Sequence, residues 1–202
     1  MSTTTTRIPL ADALKEAEAF RALFDGCFER WEFAGSLRRQ KPTVGDIEHI
    51  IIAKRIPDIS KLFDGGGGEI CAVKLRVEDL RRSNTLYPHI YTGSNGAPGF
   101  RLGDKLMGVD FRDRHHELWL CTPCNWGCIL AIRTGSADFS HGLVMRLRKS
   151  GFRQMDGYLC CHNPDFAHEH YDRIPCLDEA TYFAAAGLDV ADWPPEKREA
   201  LH

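Results

Sequence analysis

The segment Asp46-Ile47-Glu48, followed within two residues by the apolar run Ile50-Ile51-Ile52, constrains this chain more than any other stretch. Side chains alternate faces along a strand, so Asp46 and Glu48 point one way while Ile47 enters the core. Two carboxylates on one face repel, and a shared divalent cation with oxygen ligands, normally magnesium, relieves them. Just upstream, Trp31-Phe33-Ala34 reads as a short strand ending at Gly35, where glycine lets the backbone approach a ligand closely. Ser36 then opens a short helix whose free amides and dipole favour phosphate, and Arg39 adds a planar cationic fork. Pro42-Thr43-Val44-Gly45 turns the chain into the acidic strand. These parts suit a nucleoside triphosphate with its metal ions. The plainer account is a Gly-Ser turn beside a solvated acidic strand edge.

Gly35-Ser36, Arg38-Arg39, Gly45 and Asp46-x-Glu48 together resemble the palm signature of the nucleotidyltransferase superfamily, and specifically of family X DNA polymerases of the polymerase beta type. The resemblance implies an α+β chain: a palm of mixed sheet flanked by helices over residues 1–137, then a small α/β thumb lobe over 138–202. Only about one helix precedes the Gly-Ser motif, so the form implied is a minimal palm plus thumb, without the lyase domain of longer members.

The family also needs a third carboxylate on a neighbouring strand. His116-Glu117-Leu118-Trp119-Leu120 alternates as a strand should. Family X enzymes carry an acid, a proline-containing loop, an aromatic-Gly pair and then Thr-Gly-Ser. Here Glu117, Pro123, Trp126-Gly127 and Thr134-Gly135-Ser136 follow that order, with Gly135 eighteen residues after Glu117. The resemblance therefore makes Asp46, Glu48 and Glu117 the catalytic metal ligands for two Mg2+ ions, with Mn2+ an alternative. Gly35, Ser36, Arg39, Gly45, Thr134 and Gly135 become the nucleotide-binding set. Glutamate stands at two positions where the family usually has aspartate, and Ile132-Arg133 replaces an aromatic pair that packs on the incoming sugar, which leaves the choice between deoxyribose and ribose open.

Residues 9–30 show helical spacing of Leu10, Leu14, Ala17, Phe20, Leu23, Phe24 and Cys27, a core stripe without chemistry. Between 53 and 110 the pattern is less regular. Asp64-Gly65-Gly66-Gly67-Gly68 reads as a loop without the lysine and hydroxyl of a phosphate loop. Val73, Leu75, Val77 and Leu80 suggest a strand passing into a charged turn or helix at 78–82, residues 93–99 a turn, and residues 100–111 another strand. Beyond Ala137, Phe139, Leu143, Leu147 and Phe152 line one helix stripe, and Arg146, Arg148, Lys149 and Arg153 its basic counterpart, suited to a DNA backbone. Asp178 is placed to cap a helix stopped at Gly187. Gly187-Leu188, Pro194-Pro195 and Arg198 resemble the family's closing signature.

A net charge of −2 argues against a strongly basic nucleic-acid binder but leaves room for a local patch. No apolar run approaches a membrane span and the N-terminus lacks a secretory signal, so a soluble, cytoplasmic protein with reduced thiols is expected. Cys121, Cys124 and Cys128, and a second group of Cys160, Cys161, His162, His168, His170 and Cys176, offer zinc donors, but their spacing fits no standard pattern, and core thiols with exposed histidines are the expectation. The implied function is DNA-directed addition of deoxynucleotides (dNTP) to a primer-template or gapped DNA by a monomer, with no membrane partner. The alternatives are a template-independent or RNA-directed nucleotidyltransferase and a catalytically silent nucleic-acid-binding relative.

Overall fold

The computed structural model describes residues 6–58, 68–92, 98–165 and 170–201. Most of the Asp64–Gly68 loop, the tip of the 93–99 turn and His168 lie outside these residues. The chain is α+β, with a five-stranded mixed sheet flanked by helices. In chain order the strands are β1 (Ile8–Pro9), β2 (Phe28–Phe33), β3 (Thr43–Val44), β4 (Ile47–Ala53), β5 (Arg55–Pro57), β6 (Glu69–Cys71), β7 (Tyr87–Pro88), β8 (Ile90–Thr92), β9 (Pro98–Phe100), β10 (Leu106–Phe111) and β11 (Arg114–Cys121). The central sheet runs β2-β4-β11-β10-β7, and β1-β3, β5-β6 and β8-β9 form small ribbons. Every neighbour in the central sheet is antiparallel except β4 and β11, which run parallel.

The apolar run of β4 is buried on both faces. Below the sheet, helices α1 (Leu10–Ala22) and α3 (Ala72–Arg82) send Phe20, Val73, Val77 and Leu80 against Ile51, Leu118 and Val109. Above it, α4 (Trp126–Thr134) lays Trp126 and Leu130 on Ile50 and Ile52. A sheet covered on both sides has no place for alternation within Ile50-Ile51-Ile52, which is why that run is uniformly apolar.

Three expectations need correction. The first helix stops at Ala22, and Phe28–Phe33 is already strand; its buried stripe is Ala13, Ala17 and Phe20, while Leu14 is exposed. Residues 72–82 are helix throughout: Val73, Val77 and Leu80 recur at helical spacing and exposed Leu75 falls outside that face. Phe152 and Arg153 belong not to the thumb helix but to a strand beyond it.

The C-terminal part packs α5 (Ala137–Lys149) and α6 (Glu179–Ala185) on a three-stranded antiparallel sheet, β12 (Phe152–Met155), β13 (Tyr158–His162) and β14 (Tyr171–Ile174). Its core contains Phe139, Leu143, Leu147, Leu159, Tyr182 and Phe183, and Cys128 and Ala131 of α4 enter it as well. Gly127 makes that approach possible, because a Cβ there would collide with the Asp178 carbonyl. Asp178 caps α6 by accepting from Thr181 N at 2.8 Å.

An ion cluster ties this part to α2 (Gly35–Arg38), the turn that carries the Gly-Ser motif. Arg38 grips Glu179 with both terminal nitrogens at 2.9 and 2.8 Å, and fully buried Arg198 reaches the same carboxylate. Burial opposes ionisation of Glu179, but the two arginines outweigh it and hold its carboxyl below the ordinary value. Removing one partner of a buried cluster leaves uncompensated charge, so Glu179→Gln is expected to cost about 3 kcal/mol at neutral pH. Because the folded-state value is depressed, this contribution is complete above the ordinary carboxyl range and is lost as pH falls through the folded value. Urea unfolding should separate the two forms at neutral pH and bring them together in strong acid; equal stability at neutral pH would contradict the assignment.

Candidate active site

Parallel pairing of β4 with β11 sets Glu117 directly beside Glu48, in the register His116↔Ile47, Glu117↔Glu48, Leu118↔His49. Both glutamates face α4, and Asp46, two residues before Glu48, is exposed just ahead of the strand. The structure thus brings the three carboxylates of Asp46, Glu48 and Glu117 to one wall of a cleft of about 410 Å³. Gly35, Ser36, Arg39, Gly45 and Gly135 line the same cleft, together with Arg7, Arg133, Ser136, Ala137 and Ser140. Three carboxylates therefore face three arginines, Arg7, Arg39 and Arg133.

Gly35 has φ +58°, and a Cβ there would overlap the Glu48 carboxylate. Glycine is required on both counts. The helix it opens is only four residues long, so little dipole is available for phosphate. The cationic groups of the cleft are the side chains of Arg7, Arg39 and Arg133. Arg39 donates from Nη1 to the Thr134 carbonyl at 2.6 Å and from Nε to Glu199 at 2.9 Å, which fixes its guanidinium at the cleft edge. Thr134 is fully buried and is not among the lining residues; its hydroxyl accepts from Arg38 at 2.6 Å, so it braces the arginines rather than reaching the cleft. Arg146, Arg148 and Lys149 lie in the last turn of α5 and do not line the cleft, and Arg148 and Lys149 are exposed.

The two glutamates have unlike surroundings. Burial, then the charge of Glu117, raises Glu48 to about 7 despite Arg133 and Arg39. Burial acts on Glu117 in the same sense, but contacts with His115, the Arg133 charge and the Trp119 hydrogen bond hold it below its ordinary value. Trp119 Nε1 donates to Glu117 Oε2 at 3.2 Å and the Tyr91 hydroxyl donates to Oε1 at 3.4 Å. Each aromatic carries an arginine on its face, Arg133 over Trp119 at 3.5 Å and Arg101 over Tyr91 at 4.2 Å. Arg133 also lies 3.9 Å from Glu48, and it lines a second cleft of about 690 Å³ that contains Trp119, Ile132 and Tyr158.

The ligand oxygens of Asp46, Glu48 and Glu117 stand apart rather than converging; among the described residues, His89, Asp110 and His115 are the group whose ligand atoms all lie within 4.8 Å of one another, and that group could hold a metal ion. By donor chemistry the carboxylate wall nevertheless suits a hard cation such as magnesium, since its groups are oxygens, and such a cation would favour the ionised form of Glu48 that burial and then the Glu117 charge disfavour. Among the described residues the cysteines bring no three ligand atoms together. Burial pushes Cys121 up to about 12, and a hydrogen bond with Cys176 together with burial raises Cys128, whereas zinc takes thiolate.

Sequence reasoning missed Arg7, Tyr91, His115 and Trp119. The i−2 and i+2 positions around Glu117 share its face of the strand, which was a usable signal for His115 and Trp119; Arg7 and Tyr91 arrive from distant segments and left none. No helix among the described residues is long and apolar enough to cross a membrane. No family model and no curated protein matches the chain.

The close fit of Gly35 against Glu48 gives a direct check. Gly35→Ala combines positive φ with a steric overlap and is expected to destabilise by roughly 1–3 kcal/mol in denaturant unfolding. An unchanged midpoint would show that the turn relaxes away from the carboxylate.

Proposed function

We propose that the chain is a DNA-directed DNA polymerase of family X type that adds deoxynucleotides to a primer 3′-hydroxyl by two-metal nucleotidyl transfer, as in short-gap repair. The observation that carries this reading is the side-by-side placement of Glu48 and Glu117 on parallel strands, with Asp46 at the mouth of the same arginine-walled cleft. When bound, a pair of magnesium ions would supply charge neutralisation and a more acidic primer hydroxyl.

Asp46, Glu48 and Glu117 are the residues that would hold such ions, whose charge would be set against the primer hydroxyl and the phosphates. Tyr91 and Trp119 occupy one lone pair on each Glu117 oxygen and so set the direction of the others. Arg7, Arg39 and Ser36 line the same cleft and would hold the β- and γ-phosphates of dNTP as the hydroxyl attacks the α-phosphate in line. Exposed Arg148 and Lys149 are suited to the phosphate backbone of a primer-template duplex.

One observation favours a broader sugar and acceptor range. Arg133, rather than an aromatic pair, stands between the two clefts, so little apolar surface is set against a ribose 2′-hydroxyl.

Asp46→Asn should abolish magnesium-dependent primer extension without shifting the melting temperature; undiminished extension by this variant would refute the assignment. Offering labelled deoxy- and ribonucleotides with gapped duplex, single strand or no primer separates templated addition from untemplated transfer, and binding without incorporation would identify a silent relative. Replacing Arg148 and Lys149 together by alanine should weaken duplex binding equally for all sequences and reduce the salt slope by about 2. An unchanged slope would place the DNA elsewhere.

A further inference from the structure

Behind Glu117 lies a group that the proposed chemistry does not use. Asp110 and His115 are direct cross-strand partners in the β10-β11 hairpin, and the two-residue turn Arg112-Asp113, with φ 49° and 62°, fixes that register. His89 follows β7, outside any strand, and its backbone amide is tied to the Gly108 carbonyl at 3.0 Å. Its Nδ1 donates to Asp110 Oδ1 at 2.6 Å, and His115 Nδ1 lies 3.5 Å from the same oxygen. The His89 and His115 rings stack with centroids 3.7 Å apart, so both present nitrogen edges to one carboxylate.

His115 is 5% exposed, and its buried Nδ1 has Asp110 Oδ1 as its neighbour at 3.5 Å, too long for a well-formed hydrogen bond. A buried nitrogen so loosely paired is costly, and this one is aimed at the carboxylate that lies between the two imidazoles. The other nitrogen of the ring is fully engaged: Nε2 lies 2.9 Å from the Tyr91 hydroxyl and 3.8 Å from Glu117 Oε1. One ring nitrogen turned to a carboxylate and the other left open beside further ligand atoms is the arrangement of a metal-bound histidine.

We propose that His89, Asp110 and His115 bind a transition-metal ion of the zinc class, distinct from the magnesium expected at the carboxylate wall. Two of the three donors are imidazoles, which suit zinc and its neighbours, whereas magnesium takes oxygen and dehydrates reluctantly. Asp110 and His89 are partly exposed, leaving a side open for water as a further ligand. Seating the ion requires two protons to leave, the one between His89 and Asp110 and the one that Asp110 and Glu117 favour on His115, and requires the His89 ring to turn out of its stack. The bound ion would lock His115 with its proton on Nε2, facing Tyr91 and Glu117. It would thereby join the edge of the sheet to the strand carrying the third carboxylate.

The test uses the full chain stripped with chelator and titrated with zinc alone, then with cobalt as a spectroscopic stand-in. The expected result is about one equivalent of zinc per chain and a visible cobalt ligand-field band. Both should be kept in Asp46→Asn and in Cys128→Ser, and lost in His89→Ala and Asp110→Asn, with melting curves confirming that each variant is folded. His89→Ala keeps the test decisive if Asp110→Asn fails to fold. Zinc below a tenth of an equivalent in the unaltered chain, the same loading in His89→Ala, or loading lost with Asp46→Asn or Cys128→Ser would each overturn the proposal. The readout is metal stoichiometry, so it stands whether or not nucleotides are incorporated.

Discussion

The parallel pairing of β4 with β11 is the constraint on which the rest of the structure depends. In that register Glu48 and Glu117 are neighbours on one face, and on the other Ile47, His49, His116 and Leu118 are fully buried. A one-residue slip would exchange the faces, driving carboxylates into the core. The lower face enforces the register from beneath. His49 and His116 lie 2.9 Å apart with Phe20 stacked on His116 at 3.9 Å, and burial depresses both imidazoles, so they remain neutral. Trp31 Nε1 donates to His49 Nδ1 at 3.2 Å, which puts the His49 proton on Nε2, directed at His116 Nδ1.

Placing two carboxylates side by side has a cost, and the surroundings divide it unequally. Glu117 is stabilised as an anion by His115, Arg133 and Trp119, whereas Glu48, with fewer donors, is raised first by its burial and then by the Glu117 charge. Arg133 is the partial remedy already present in the chain: its guanidinium rests on Trp119 and stops 3.9 Å from Glu48, too far for a hydrogen-bonded pair. A small, highly charged cation would do better. The Arg38–Glu179–Arg198 cluster acts at a different level, holding the Gly-Ser turn to the C-terminal lobe so that both walls of the cleft keep their spacing.

Much of this was legible in the chain itself. Alternation placed Asp46 and Glu48 on one face, and a spacing match to Thr134-Gly135-Ser136 singled out Glu117. The positive φ of Gly35 and its close approach to the Glu48 carboxylate agree with a glycine placed for backbone freedom. What stayed hidden was tertiary. Leu75 disguised the helical period of Val73, Val77 and Leu80. Thr134 looked like a ligand contact because nothing local shows that Arg38, nearly a hundred residues earlier, donates to it. His89, Asp110 and His115 have no motif spacing, and only the hairpin register and the return of β7 to the sheet edge bring them together.

The central claim is that Asp46, Glu48 and Glu117 form one cation-binding wall facing the phosphates of a nucleotide. Crystals grown with manganese and a non-hydrolysable deoxynucleoside triphosphate test it most directly, by anomalous scattering at the manganese edge. The account predicts a pair of manganese peaks bridged by Asp46 and Glu48, one also ligated by Glu117, with the triphosphate against Arg39 and Arg7. Manganese confined to other sites, with the three carboxylates unligated and the nucleotide bound elsewhere, would contradict it.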